Sequence, residues 1–417
     1  MNRIPPVKPV QKIELSDKNN KLKLILVILL LALGFTAIGY GIMAAISTEK
    51  GWKEIEANST EGLNCSSDFV FIYNIGAGDV SPTVENKAIT NLYSKATEDA
   101  YKIFTCDQGY DDINNIYTMN QKPNTELTVE PALYQAFELL QKYNNRNIYL
   151  APVYMQYDDI FYCSDDSEIV DFDPYSNEEV AAYYKEVAAF ACDKNAVNVE
   201  LLGSNKVILH VSDEYLAYAK ENGITRFIDL FWMKNAFITD YLANIMSSNG
   251  YTLGSISSHD GFTCNMDTTN TNYAFNMYDN IDGEAYQIAT ANYAGARNIV
   301  TMHNFMMNDF DNNHSYELQN GEVRTSYLDS KDGLCKSAVN MYVAYAEGVS
   351  CSEIMLNIAP LYIAESLDEQ VAVDLTKEKI YSVYCKDDVI IYNDSELEFT
   401  NVYDFNNVNY STSLMRQ

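Results

Sequence analysis

The sequence predicts an α+β protein, in which a single transmembrane helix precedes a mixed, largely antiparallel-sheet domain with helices. The transmembrane helix follows from Leu24–Ile46, a run of 23 residues without a charged side chain. The α+β class follows from the rest of the chain, where helical and strand patterns mix without regular alternation. Hydrophobic residues make up 47% of the chain, which excludes disorder throughout.

The charge distribution divides the chain at this run. Residues 1–23 carry six Lys or Arg against two Asp or Glu, whereas the whole chain has a net charge of −30. Basic residues before the span predict a cytoplasmic N-terminus and a C-terminal domain outside the cell membrane. A cleaved signal peptide has a shorter apolar region, so the run favours a single-pass signal anchor. The acidic remainder argues against nucleic-acid binding, which needs cations to neutralise phosphates.

Four parts are predicted along the chain. They are a cytoplasmic basic tail (1–23), the signal anchor (24–46), a polar stalk (47–66) and an extracytoplasmic domain (67–417). No low-complexity linker interrupts the last part, so it is predicted to be one continuous domain. All eight cysteines follow the span. Disulfides are therefore possible in an oxidising compartment, but the spacing of the cysteines does not indicate which of them pair.

Local signals predict the main elements of this domain. Pro82 and Pro131 stand where the first turn of a helix is expected. A helix over 232–248 is predicted to end at Asn249-Gly250. The segments 147–156 and 224–230 are predicted to be extended. Further predicted strands are 197–202, 206–212, 251–257, 272–277, 286–291, 298–303, 337–346, 380–385 and 389–393.

The sequence contains no complete catalytic motif of the nucleotide-binding, zinc-protease or serine-hydrolase type. The four histidines are too scattered along the chain to indicate a metal cluster. The most unusual string is 254–266, in which small residues lead to Ser258-His259-Asp260-Gly261. Such a string lets backbone amides approach a ligand closely. The alternative is a polar turn between two strands.

The order of elements resembles the FAD:protein FMN transferase (ApbE) family over about residues 70–395. The segment Leu127–Leu140 is similar to the family's early helix. The family has Asp-Leu-Gly-Gly-Ile-Ala-Lys-Gly at a strand end and a second Asp eleven residues after the first. Asp229 and Asp240 match the two acids, and Asn235 stands in the place of the Lys.

Further family motifs fall near strand ends. Ser258-His259-Asp260-Gly261 takes the place of a Gly-Gly pair, and Thr301 matches the Thr of Ala-Thr-Ser-Gly. Asp329 matches the Asp of His-His-Ile-Leu-Asp-Pro-x-x-Gly, and Ser326 stands where a functional His is expected. The resemblance thus implies catalytic positions at Ser326 and Asp329. It implies cofactor-binding positions at Asn235, Asp240, Ser258, His259, Asp260, Gly261 and Thr301.

The family's metal pair, Asp-x-x-x-Thr, lies at the start of a helix. The register that preserves the apolar spacing puts Glu353 and Asn357 at these positions. Their oxygen atoms suit a hard cation such as Mg²⁺. A shift of one to three residues would instead place Cys351 or Ser352 at the Asp position and abolish the site.

The resemblance implies a protein that binds FAD and magnesium and moves FMN onto a Ser or Thr of an acceptor protein. Two departures bear on this activity. Ser326 stands in the place of a His, so a group that titrates near neutrality is missing at this position. Residues bulkier than Gly at the strand end and helix entry narrow the path for a nucleotide. Three hypotheses follow: a membrane-anchored flavin transferase with altered motifs, a catalytically inactive surface binding or assembly module (a pseudoenzyme) on the same scaffold, and an unrelated α+β ectodomain.

Overall fold

The computed structural model describes residues 48–58, 63–405 and 408–415. The basic tail and the predicted span Leu24–Ile46 lie outside these ranges. Within them, no helix combines the length and the apolar character that a membrane crossing requires.

Strands and helices share the described chain. The strands are β1 (Gly51–Glu54), β2 (Phe69–Ile75), β3 (Glu126–Thr128), β4 (Val197–Gly203), β5 (Lys206–Val211), β6 (Gly254–Ser258), β7 (Phe262–Asn265), β8 (Asn272–Ile281), β9 (Glu284–Ala294), β10 (Asn298–His303), β11 (Ser315–Glu317), β12 (Val323–Thr325), β13 (Met341–Ala346), β14 (Tyr381–Lys386), β15 (Val389–Tyr392), β16 (Glu398–Val402), β17 (Asp404–Phe405), β18 (Val408–Asn409) and β19 (Ser411–Leu414). The α-helices are α1 (Pro82–Phe104), α2 (Ile116–Gln121), α3 (Pro131–Lys142), α4 (Ala151–Tyr157), α5 (Glu178–Cys192), α6 (Asp213–Asn222), α7 (Lys234–Ser248), α8 (Cys351–Tyr362) and α9 (Glu369–Asp374).

A nine-stranded sheet forms the centre of the fold, in the order β1-β2-β6-β7-β10-β13-β14-β15-β19. Its neighbouring strands run antiparallel, except that β15 and β19 run parallel. A smaller antiparallel sheet consists of β16, β9 and β8. The predicted α+β class with a largely antiparallel sheet is confirmed for the described residues.

The strand β13 separates two hydrophobic cores. Tyr342 and Ala344 belong to the core that also contains the buried faces of α7 and α8. Met341 and Val343 belong to a second core, which includes side chains of β8 and β9. Successive side chains of a strand point to opposite faces, so one strand contributes to both layers. Because both faces are covered, every residue of β13 is buried.

Prolines begin two helices, as the sequence predicts. Pro82 and Pro131 are the first residues of α1 and α3, where a backbone N–H has no helical partner to lose. The helix predicted over 232–248 is also confirmed, with a short 3-10 turn over 231–233 ahead of α7. It ends before Gly250, whose φ of 85° continues the chain out of the helix.

Two strand predictions are wrong. The segment 147–156 forms a 3-10 turn followed by α4, because Pro152 occupies a first-turn position and the apolar side chains are buried on a helical surface. The segment 224–230 pairs with no strand in the described chain. A side chain replaces the strand partner there, since the N–H of Phe227 donates to Oδ1 of buried Asn120 at 2.8 Å.

The stretch predicted as a polar stalk, 47–66, contains an ordered element. Its residues 51–54 form β1, which pairs antiparallel with β2 at the edge of the central sheet. The following Ile55 is buried, and its N–H donates to the carbonyl of Phe71 at 2.7 Å. The central sheet therefore begins within this stretch.

Candidate functional site

A cleft of about 580 Å³ opens where the turn between β6 and β7 meets the N-terminus of α7. Five carboxylates line it: Asp68, Asp107, Asp158, Asp229 and Asp260. The other lining residues are Cys106, Tyr154, Met155, Tyr162, Arg226, Phe231, Trp232, Lys234, Asn235, His259, Phe310, Asn313, His314 and Ser326. Among the residues predicted from sequence, the fold therefore brings Asn235, His259, Asp260 and Ser326 to one cleft.

The β6–β7 turn is fixed by contacts on both sides. The N–H of His259 donates to the carbonyl of Asp68 at 3.0 Å, and Oγ of Ser258 accepts from the N–H of Phe262 at 3.0 Å. Gly261 has a φ of 100°, and a Cβ there would lie 2.3 Å from the carbonyl oxygen of Thr301. Only glycine fits this close approach. Ser258, Gly261 and Thr301 thus support the turn that carries His259 and Asp260.

Asn235 and Asp260 form a hydrogen-bonded pair in the cleft. Nδ2 of Asn235 donates to Oδ2 of Asp260 at 3.0 Å. The Oδ1 atom of each side chain is buried and has no hydrogen-bond partner among the described residues. Burial raises the pKa of Asp260, and His314 opposes this shift. Two buried oxygen atoms that can accept hydrogen bonds therefore have no donor inside the cleft.

The two predicted catalytic positions lie apart. Ser326 lines the cleft, where its hydroxyl donates to the carbonyl of His314 at 3.2 Å. Asp329 is not part of the lining and contacts Nζ of Lys336 at 3.0 Å. It also accepts the N–H of Lys331 at 3.0 Å, so it stabilises the turn after β12.

Asp240 of α7 contacts a helix terminus. Its carboxylate accepts the backbone N–H groups of Cys351 and Ser352 at 2.8 and 2.9 Å. These are the first two residues of α8, whose N–H groups have no partner within the helix. Burial raises the pKa of Asp240 to about 6, although the hydrogen bonds from Ser352 and Cys351 oppose the shift. Asp240 therefore joins α7 to α8 and does not line the cleft.

The residues expected to hold magnesium do not converge on the cleft. Glu353 contacts Nζ of Lys142 at 2.5 Å and the hydroxyl of Tyr143 at 2.6 Å, both at the end of α3. Nδ2 of Asn357 donates to the backbone carbonyl of Glu353 at 2.8 Å. Elsewhere in the described ranges, no three His, Cys, Asp or Glu side chains are grouped as metal ligands. The donor set does not fit a magnesium site.

Sequence reasoning missed the basic residues of the cleft. Arg226 contacts Oδ1 of Asp107 at 2.6 Å, and Lys234 lies at the first position of α7. Burial lowers the pKa of Lys234, but the carboxylates of Asp68 and Asp229 outweigh burial and raise it above its usual value. The sequence holds one indication of a basic residue in this cleft: Lys234 directly precedes Asn235, the residue aligned with the family's Lys.

The cleft also has aromatic walls that the sequence did not reveal. The rings of Tyr154 and Phe231 stack with centroids 4.3 Å apart. Phe231 has a φ of 44°, a left-handed conformation that is strained for an aromatic residue. It occupies the first Gly position of the family's Asp-Leu-Gly-Gly motif. Across the turn, His259 stacks on Phe310 with centroids 3.7 Å apart.

Histidines that are distant in sequence meet near the cleft. His259 and His314 line it, and His303 lies in a small cavity behind Asp260. Nε2 of His303 lies 3.6 Å from Oδ1 of Asp311, and Nδ1 of His303 lies 2.7 Å from the carbonyl of Phe305. Three of the four histidines therefore lie near the cleft, although the described residues contain no group of three such side chains that could hold a metal.

Comparison with known proteins identifies the fold class. No protein-family model and no curated protein matches the chain. Among solved structures, the ApbE protein of Thermotoga maritima aligns with a TM-score of 0.53 and 13% identity, covering 81% of this chain and 94% of that one. The flavin transferase ApbE of Vibrio cholerae aligns with a TM-score of 0.53 and 11% identity, covering 84% and 97%. The chain has an ApbE-like fold, which confirms the resemblance for the fold.

Proposed function

We propose that this chain is a membrane-anchored, extracytoplasmic protein that binds a flavin in the cleft. The observation that carries the proposal is the position of this cleft, at a strand-end turn and a helix N-terminus, on a fold shared with a flavin transferase. The anchor rests on the uncharged run Leu24–Ile46 and its basic flank.

Aromatic and polar groups of the lining suit a flat heteroaromatic ligand. The exposed face of the Tyr154–Phe231 stack and the His259–Phe310 stack offer surfaces for an isoalloxazine ring. Buried acceptors on Asn235 and Asp260 would orient hydrogen-bond donors of the ligand. Pockets for small molecules typically combine apolar walls with a few such polar groups.

The proposal is limited to binding and does not include transfer of FMN to an acceptor protein. Such transfer cleaves a pyrophosphate, whose charge a metal ion and a positioned base must stabilise. Glu353 is already paired with Lys142, and the hydroxyl of Ser326 donates to a backbone carbonyl. Neither arrangement provides the metal ligand or the base, so no catalytic step is assigned.

A second candidate is a catalytically inactive binding or assembly module that takes no flavin. The ring of Phe231 favours it, because this ring lies in the cleft where the family motif has glycine. In this case Phe231 would fill the space of a ligand, and a partner protein would contact the outer surface.

The two candidates are separated by titrating the purified full-length chain with flavins and following flavin fluorescence. The flavin-binding proposal predicts saturable quenching that Mg²⁺ does not change, and no covalent flavin when FAD, Mg²⁺ and an acceptor peptide are added. Phe310→Ala should weaken binding, whereas Trp52→Ala should not. These side chains are equally exposed, at 46%, but Trp52 lies on β1, outside the lining. Absence of quenching by any flavin would favour the inactive module.

A further inference from the structure

We propose that the cleft selects an uncharged flavin, the isoalloxazine ring with its ribityl chain, over the phosphorylated flavins FMN and FAD. This inference rests on the proposed function and names the ligand class of the same site. It follows from the charge of the lining, since the hydrogen-bond donors that the buried side chains lack are common to all three flavins.

Carboxylates outnumber cations in the cleft. Five Asp side chains line it, against the two cations Arg226 and Lys234. Arg226 is already engaged, since its guanidinium contacts Asp107 at 2.6 Å and lies 3.7 Å from Asp229. Lys234 lies in the field of Asp68 and Asp229. The cations are therefore matched by carboxylates, and an additional phosphate would meet an excess of negative charge.

Two of the carboxylates are poorly placed to tolerate a further anion. Burial raises the pKa of Asp158, and the negative charge of Asp159 adds to this shift. Burial also raises the pKa of Asp260, and there the charge of Asp68 adds to the shift. A phosphate beside them would act in the same direction.

The unsatisfied acceptors suit the part of a flavin that riboflavin, FMN and FAD share. Oδ1 of Asn235 is buried in a residue that is 7% exposed, and Oδ1 of Asp260 is also buried. Neither has a donor within the described chain. Ribityl hydroxyls and the imide N–H of a flavin can donate to them, whereas phosphate oxygens at neutral pH only accept. The acceptors therefore support a flavin in this cleft, and the charge of the lining sets the preference for the form without phosphate.

The inference is tested by titrating the full-length chain with riboflavin, FMN and FAD at low ionic strength, with calorimetry as the readout. Riboflavin is expected to bind more tightly than FMN and FAD by about tenfold. Raising the salt concentration should narrow this difference, because ions screen charge repulsion. FMN or FAD binding as tightly as riboflavin would overturn the inference and leave flavin binding intact. No binding of any flavin would overturn both.

A charge variant tests the physical cause. Asp158→Asn removes one carboxylate of the lining. It should reduce the ratio of the riboflavin affinity to the FMN affinity by about threefold. Asp171 is exposed and does not line the cleft, so Asp171→Asn is the control and should leave the difference unchanged. An equal response of the two variants would show that the lining does not set the preference.

Discussion

Asp240 on α7 holds the start of α8 through Cys351, whose N–H donates to the carboxylate at 2.8 Å. The neighbouring N–H of Ser352 donates to the same carboxylate at 2.9 Å. The sequence comparison aligned Asp240 with an acid of a cofactor-binding motif. In the fold this side chain serves as a helix cap between two helices of the main core.

The cap predicts a pH dependence of stability. Burial raises the pKa of Asp240 in the folded state to about 6 from the ordinary value of 3.8, so the folded protein keeps this proton to a higher pH than the unfolded chain does. The contribution of the Asp240 carboxyl group to the free energy of unfolding is therefore fully present below about pH 4 and is lost as the pH rises to about 6. Urea unfolding of the wild type and of Asp240→Asn should show that the difference in unfolding free energy falls across this range by up to about 3 kcal/mol. A difference that is constant with pH would contradict the prediction.

Gly261→Ala should destabilise the protein by about 2–4 kcal/mol, because the added Cβ meets the carbonyl of Thr301 and the backbone has a positive φ. Thermal unfolding followed by circular dichroism provides the measurement. Gly78→Ala is the control, since a Cβ at Gly78 meets nothing within 4 Å. Equal melting temperatures of the two variants would contradict the proposed close approach.

Asp173→Ala should cost about 3–5 kcal/mol of stability. Asp173 is fully buried and accepts from Nε of Arg324 at 2.9 Å, so its removal leaves a buried cation with only the exposed carboxylate of Glu322 as its ionic partner. Asp374→Ala removes the exposed partner of Lys377 and should cost less than about 1 kcal/mol. Chemical unfolding of both variants measures the contrast. A small loss for Asp173→Ala would mean that water replaces the carboxylate.

Asn235→Leu should weaken riboflavin binding by about tenfold, because it removes a buried acceptor and the donor to Asp260. Asn249→Leu changes an exposed Asn that follows α7, outside the cleft, and should leave the affinity unchanged. Calorimetry gives the affinities, and circular dichroism checks that both variants fold. Unchanged binding by a folded Asn235→Leu protein would exclude this side chain from the ligand contact.

The predicted topology is tested by labelling Cys192, which is exposed and belongs to the part proposed to lie outside the membrane. A membrane-impermeant maleimide applied to intact cells should label the wild type at this position and label Cys192→Ser less. The chain should also sediment with membranes. Labelling that requires cell lysis would place the domain on the cytoplasmic side.

Local signals in the sequence were sufficient for much of the fold. Pro82 and Pro131 identify helix starts, because proline is tolerated where no helical N–H bond is made. Segment 147–156 forms a helix where the sequence predicts a strand, since its apolar residues suit a buried helix as well as a buried strand. Hydrophobicity alone does not distinguish these two arrangements.

The candidate site was only partly predictable. The string around His259 and Asp260 stood out because it combines small and polar residues after a strand. Lys234 and Arg226 gave no such signal, because their role depends on carboxylates that are distant in sequence. Glu353 was assigned to a metal pair by register, and only the fold reveals its contact with Lys142.

The position of β13 between the two cores has a consequence for how the protein unfolds. An insertion of one residue in this strand would send Tyr342 toward the layer of Met341, and each layer would receive side chains shaped for the other. If one layer unfolds, β13 loses the packing on one of its faces, and this destabilises the layer on the other face. We therefore expect the helical layer and the small sheet to melt in a single cooperative transition, with β13 among the last amides to exchange with solvent.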